Sequence, residues 1–157
     1  MTSIVVAPSV ILLGDEAGFT LDNPVIGWRT STIVSATSEE ADHPATNLLN
    51  PATHVFWRAA HTGQQFLTFS GYDDSFDYAA IARHNLGSFQ VPISIGYLNN
   101  NSPGSYVPLI NDVLLPDDGP VMFRFTATAL SNLTIRIGSH GDPGNVQIAV
   151  AYCGKLL

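Results

Sequence analysis

The chain predicts an all-β fold: a two-sheet antiparallel β-sandwich forming one domain over residues 1–157. Three observations lead there. Apolar residues recur at every second position in several runs and hardly anywhere at a period of 3.6. Each run is as long as an ordinary strand. The segments between the runs are turn chemistry, rich in Gly, Pro, Asn, Asp and Ser. A length of 157 residues suits one domain that buries enough surface to fold without cross-links.

Taken in order, the chain begins with the apolar run MTSIVVAPSVILL. No basic residue precedes the run, and Asp15 and Glu16 follow too soon for a spanning helix, so neither a signal peptide nor a membrane anchor is expected. Residues 1–13 read as the first strand of the sandwich or as an arm lying on a neighbouring subunit. The strand is favoured, because terminal strands commonly tie a domain down. Trp28 and Arg29 precede a Thr/Ser-rich strand, Thr30 to Ala36. One helical turn is expected over Thr46 to Asn50, capped by Thr46 and stopped by Pro51. Phe56 and Trp57 follow, giving one large ring to plug the end of the sandwich.

Further strands follow at Gln65 to Phe69 and at Tyr78 to Arg83. Val91, Ile93, Ile95 and Tyr97 then alternate with small residues. Val121, Phe123 and Phe125 alternate with Met122, Arg124 and Thr126; Leu133, Ile135 and Ile137 with Thr134, Arg136 and Gly138; and Val146, Ile148, Val150 and Tyr152 with Gln147, Ala149 and Ala151. Apart from Tyr97, Val121 and Tyr152, the first-named residues of each run are the expected core, because a one-residue slip would turn every one of them to solvent.

Hydrophobic residues make up 45% of the chain and charged residues 12%, about half the usual globular share. Lys155 is the single lysine. A net charge of −7 argues against nucleic acid, which needs clustered Lys and Arg. Cys153 stands alone, so no internal disulfide forms. The low charge also suggests a surface partly covered by a partner, as a homo-oligomer or embedded subunit. The expected contacts are residues 1–13, the Tyr97 to Tyr106 loop and the last strand through Leu157.

Several segments together resemble the galactose-binding-like jelly roll, the group of discoidin-type domains and many carbohydrate-binding modules. They are Pro44 to Leu49, Phe56-Trp57-Arg58, Gln65 to Phe69, Tyr78 to Gly87 and Ile148 to Lys155. The similarity covers about residues 28 to 155. More narrowly, the chain resembles versions found among tailed-bacteriophage structural proteins. The resemblance implies a jelly roll, and in sugar-binding members an Arg of the concave sheet grips hydroxyls. Arg58 and Arg83 are the positions for that role. Their competing role is a structural ion pair with Asp73, Asp74 or Asp77, and this is favoured, since an Arg among apolar residues needs a carboxylate. For Arg83 the alternation through Asp77, Ala79 and Ile81 places acid and base on one strand face, too far apart to touch easily, so a carboxylate of the next strand or backbone carbonyls are its expected partners.

Tyr72, Tyr97 and Tyr106, in or beside loops, complete the candidate ligand-binding set. Trp57 reads as core in preference to a sugar-stacking platform, and Asn85 as a turn residue closing its strand. The five histidines lack metal-site spacing, so no zinc site is expected. The resemblance implies a calcium ion near Asn47 to Thr53, but only Asp42 lies close by. The Gly71 to Asp74 loop and the Asp117-Asp118-Gly119 turn are alternatives that read equally as solvated turns. No cofactor is expected. No nucleophile elbow, Cys-His motif or phosphate-cradling loop is present, so the chain is not expected to be an enzyme.

Two functions remain. The first, on the phage-like motifs and the low charge, is a structural protein of a virion tail or tail tip. It would be made in the host cytoplasm and hold other virion proteins or itself through apolar surface and strand edges. The alternative is a carbohydrate-binding module that adheres to cell-surface glycans.

Overall fold

Alternation becomes strands in the computed structural model, which describes residues 3–7, 10–14, 33–50, 54–71, 75–99, 102–141 and 144–155. In chain order the strands are β1 Ser3–Ala7, β2 Val10–Gly14, β3 Ile33–Ala36, β4 Trp57–Arg58, β5 Gln65–Ser70 and β6 Ser75–His84. They continue with β7 Ile93–Leu98, β8 Tyr106–Val113, β9 Val121–Ala129, β10 Asn132–Ile137 and β11 Gln147–Gly154. A six-stranded sheet has the order β1-β2-β9-β6-β11-β4, and a five-stranded sheet the order β3-β5-β10-β7-β8. Pairing is antiparallel except where β2 runs parallel to β9, from Ile11 beside Val121 to Gly14 beside Arg124. The N-terminal run is a pair of strands, β1 folding back on β2.

The inner faces of the two sheets meet over a core that includes Leu67, Phe69, Phe76, Ile81, Ile93, Ile95, Phe123, Leu133, Ile135 and Ile148. The expected core residues are all buried. Val150, however, stands outside the central cluster, which on β11 takes Ile148, Ala151 and Cys153. The paired strand breaks its alternation as well. Arg83 adopts φ 51°, a left-handed conformation that side chains rarely take, and the strand's alternation reverses there. Arg83 turns to solvent and His84 inward.

The expected ion pair of Arg83 is therefore not found. It is exposed and has no carboxylate partner among the described residues. A second irregularity, between Phe76 and Tyr78, separates Asp77 from the face of Ala79 and Ile81.

Trp57 is fully buried, and its indole Nε1–H donates to Ser38 O at 3.1 Å. The expected helical turn is a 3-10 turn, Ala45–Leu49, without a side-chain cap from Thr46. Glu39 takes that role, its Oε2 accepting from Ala45 N at 2.7 Å.

Gln65 is buried in full and satisfied on both sides. Its Oε1 accepts from Thr37 Oγ1 at 3.0 Å and Ser38 Oγ at 2.7 Å, and its Nε2 donates to Gly63 O at 2.9 Å. One amide thus fixes two loops, and its burial costs little because its bonds are made.

Trp57→Ala should destabilise the fold by about 3–5 kcal/mol, the usual cost of emptying a large core site. Equilibrium denaturation measures it, and a loss below about 1 kcal/mol would contradict the plug.

Candidate functional site

Strand β4, two residues long, lies between two partners. On one side the turn at residues 40–43 bonds to it, Glu40 N to Arg58 O at 2.9 Å and Arg58 N to His43 O at 3.1 Å. On the other, Gln147 of β11 lies opposite Arg58. The Arg58 guanidinium is thereby held between a carboxylate and an amide. Nη1 donates to Glu40 Oε2 at 3.3 Å and Nη2 to Gln147 Oε1 at 3.1 Å. Its carbon stands 4.9 Å from the centre of the Phe56 ring, which stacks on His43 at 4.1 Å. The carboxylate partner is Glu40, brought in by β4 pairing, and not the expected Asp77; Asp73 and Asp74 lie outside the described residues.

Two loops complete the surroundings. Asn85 ties the end of β6 to the start of β11, donating from Nδ2 to Asn145 O at 3.1 Å and accepting from Gln147 N at 2.8 Å. Asn145 Nδ2 donates to the second oxygen of Glu40 at 3.3 Å. Phe89 stacks on His140 at 5.9 Å, and His140 Nε2 bonds Gly144 O at 2.8 Å. Together Glu40, Arg58, Asn85, Phe89, Gly144, Asn145 and Gln147 enclose an open hollow of about 360 Å³. It presents a guanidinium, a carboxylate, three side-chain amides and one aromatic ring.

His84 clamps the loop that carries Asn85 and Phe89. Its Nδ1 accepts from Leu86 N at 3.3 Å, so the proton sits on Nε2, which donates to Gly119 O at 2.9 Å. Burial pushes the His84 pKa down, against the opposing pull of the Gly119 carbonyl and of Asp118 and Asp117. Asp118 Oδ1 lies 4.0 Å from His84 Nδ1 and accepts from Ser88 N at 2.8 Å, while Ser88 Oγ donates to Oδ2. Burial alone would raise the Asp118 pKa, but these hydrogen bonds outweigh it and hold it low. The two loops touch so closely that a Cβ on Gly87 would stand 2.1 Å from the Asp117 backbone.

A second group lies on the outer face of the five-stranded sheet. Phe66 of β5 is opposite Arg136 of β10. Tyr106 of β8 crosses above Gly96, where a Cβ would come within 2.8 Å of the phenol. The rings of Phe66 and Tyr106 are 5.7 Å apart and tilted by 59°. Arg136 stands 5.0 Å over Tyr106 and pairs with Asp112 at 2.6 Å. Tyr106 Oη bonds Ser94 Oγ at 2.7 Å, and burial pushes its pKa up to about 12.

The candidate residues thus fall in different places. Arg58 lines the hollow, Tyr106 stands on the sheet face, and Arg83 is at the surface end of β6. Tyr97 follows Ile93 and Ile95 on the inner side of β7 and is half-buried. Tyr72, like Asp73 and Asp74, lies outside the described residues. Glu40, Phe89, Asn145, Gln147, Phe66 and Arg136 were not singled out by the sequence. For Arg136 the signal existed, in its alternation with Ile135 and Ile137. For Glu40 and Asn145 there was none, because their meeting depends on strand pairing 105 residues apart in the chain. Among the described residues no three His, Cys, Asp or Glu side chains gather as metal ligands.

This two-sheet frame is the galactose-binding-like jelly roll. The XRCC1 N terminal domain family matches residues 26–117, more than half of the chain, and the chain belongs to that family. No curated protein sequence matches it.

Among solved structures it is similar to chitosan-binding module 1 of a chitosanase/glucanase from Paenibacillus sp. IK-5. The TM-score is 0.66 at 14% identity, over 82% of this chain and 98% of that one. It is also similar to a pectin-binding carbohydrate-binding module, with a TM-score of 0.65 at 13% identity, over 80% of this chain and 91% of that one. A third is the family 32 carbohydrate-binding module of C. perfringens NanJ in complex with galactose. There the TM-score is 0.62 at 20% identity, over 77% of this chain and 91% of that one.

Because the folded His84 pKa is lowered, the unfolded chain takes up the proton first. Stability should fall as pH drops below 6.5, the unfolded value, toward the lower folded one. The Asp118 contribution is lost only below 3.8, so it lies outside this window. Melting temperature followed from about pH 7.5 to about pH 5 should decline more steeply in the native protein than in His84→Gln. Equal slopes would show that His84 does not carry the effect.

Proposed function

We propose that this chain is a non-catalytic carbohydrate-binding module whose sugar site is the hollow around Arg58. One observation carries the reading: a guanidinium, a carboxylate and three amides converge beside the Phe89 ring in a single open hollow. Sugars offer planar sets of hydroxyls and an apolar face. Fixed amide and guanidinium donors answer the first, and an aromatic ring the second. The volume falls in the usual range of small-ligand sites.

The chitosan-binding and pectin-binding modules and the module in complex with galactose, described above, support this reading over virion assembly. So does the outer edge of the five-stranded sheet. There β8 carries the exposed Pro108 and two irregularities in its pairing with β7, features that blunt edge-to-edge association. The large apolar side chains exposed among the described residues, Ile33, Leu49 and Leu114, sit on β3, on the 3-10 turn and in the loop after β8.

Arg58→Ala should reduce affinity for the strongest-binding monosaccharide of a neutral array by about ten-fold, measured by titration calorimetry. Its melting temperature should change little, because the Arg58–Glu40 pair is partly exposed and screened by water. Undiminished binding by both Arg58→Ala and Asn145→Ala, or silence of the native protein across the array, would sink the proposal.

A further inference from the structure

Beside the Phe66–Tyr106 pair, the outer face of the five-stranded sheet holds a trough of about 350 Å³. It shares no residue with the Arg58 hollow. Its walls are Ser35, Ala36 and Thr37 of the β3 side and Leu98 and Ser131 opposite, with Phe66, Thr68 and Ser70 along the floor. We propose that this trough is a second glycan site, one that takes an extended, uncharged oligosaccharide. The inference rests on the proposed function for the chemical class of its ligand, but not for the site.

Length is the first argument. The floor follows β5 from Phe66 to Ser70, four strand steps or roughly 13 Å, a span that suits several linked sugars better than one.

The second argument is chemical. Hydroxyls line the trough, and no lining side chain ionises. Nearby, Arg136 and Asp112 neutralise each other at 2.6 Å. A polyanion such as nucleic acid would find no free cation in the lining and a chain of net charge −7. A purely apolar partner would dehydrate the Ser35 and Ser70 hydroxyls, which bond to no group among the described residues, without replacing their water bonds. A neutral glycan satisfies both conditions.

The third argument is rigidity. Thr68 Oγ1 bonds Thr134 Oγ1 at 3.1 Å, and Thr37 Oγ1 is tied to Gln65 at 3.0 Å. The Phe66 ring rests against Tyr106, which Ser94 holds in turn. Little ordering remains to be done when a chain lies down, and preorganisation of this kind favours affinity.

The test is a titration of the native protein and three variants with neutral glycans from monosaccharide to hexasaccharide, with folding checked by circular dichroism. Phe66→Ala removes the ring from the floor, and Ser70→Glu puts bulk and charge into the trough. Both should lower hexasaccharide affinity by about ten-fold or more while monosaccharide affinity is kept. Arg58→Ala should do the reverse. Hexasaccharide affinity within about two-fold of native in either folded trough variant overturns the second site. An equal loss of monosaccharide binding in those variants overturns it too, since one site would then serve both. If Arg58→Ala has no effect while the trough variants lose the hexasaccharide, the hollow falls and the trough stands.

Discussion

The end of the sandwich depends on one left-handed residue. At Arg83, φ 51° reverses the alternation of β6 at its final turn. A regular strand would have driven the guanidinium of Arg83 into the core beside Ile81, at a large desolvation cost. The reversal exposes the charge and sends His84 inward to the Gly119 carbonyl. A non-glycine residue in this conformation costs of order 1 kcal/mol or more. The His84 hydrogen bonds, the Asn85 bridge to β11 and the closely packed Asp117 backbone offset it. Without the reversal, Asn85 and Phe89 would not face Arg58, and the hollow would have no far wall.

The same constraint separates two kinds of site. The hollow is assembled from strand ends and loops and held by hydrogen bonds between side chains and main chain. The trough is built on paired strands, where cross-strand neighbours such as Arg136 and Phe66, or Thr134 and Thr68, are set by register. Fold alone decides neither function, since this architecture hosts many roles. What speaks for carbohydrate is the local match of planar donors and rings to hydroxylated, apolar-faced ligands.

Period-two alternation made most of the fold legible in the sequence. Ile93, Ile95, Phe123, Leu133, Ile135 and Ile137 all lie in the core, and Trp57 is the buried plug. Alternation could not reveal where it breaks. On β11 the core takes Ala151 and Cys153 in place of Val150, and on β6 the alternation reverses at Arg83, where nothing in the local residues announces a positive φ. The 3-10 turn was visible but its cap was not, because Glu39 lies six residues before Ala45. Of the hollow, Arg58 was legible as a charge in apolar surroundings. Its partners were not, because Glu40, Asn145 and Gln147 meet only through long-range pairing.

Gln65 joins the two regions. Its buried amide holds Thr37, which lines the trough, and Ser38, whose carbonyl receives the Trp57 indole beside Arg58. Two residues on, the chain reaches Glu40 and the hollow. The wall of one site therefore runs directly into the wall of the other, through a segment anchored at its centre by a fully satisfied polar group. A satisfied buried polar network specifies one arrangement of its neighbours, because each alternative leaves a donor or acceptor unpaired in a low-dielectric interior. Composition fits the same account. With charged residues at 12%, this chain does without a dense charged surface, and the hydroxyls and amides that replace it are the groups a neutral glycan can bond.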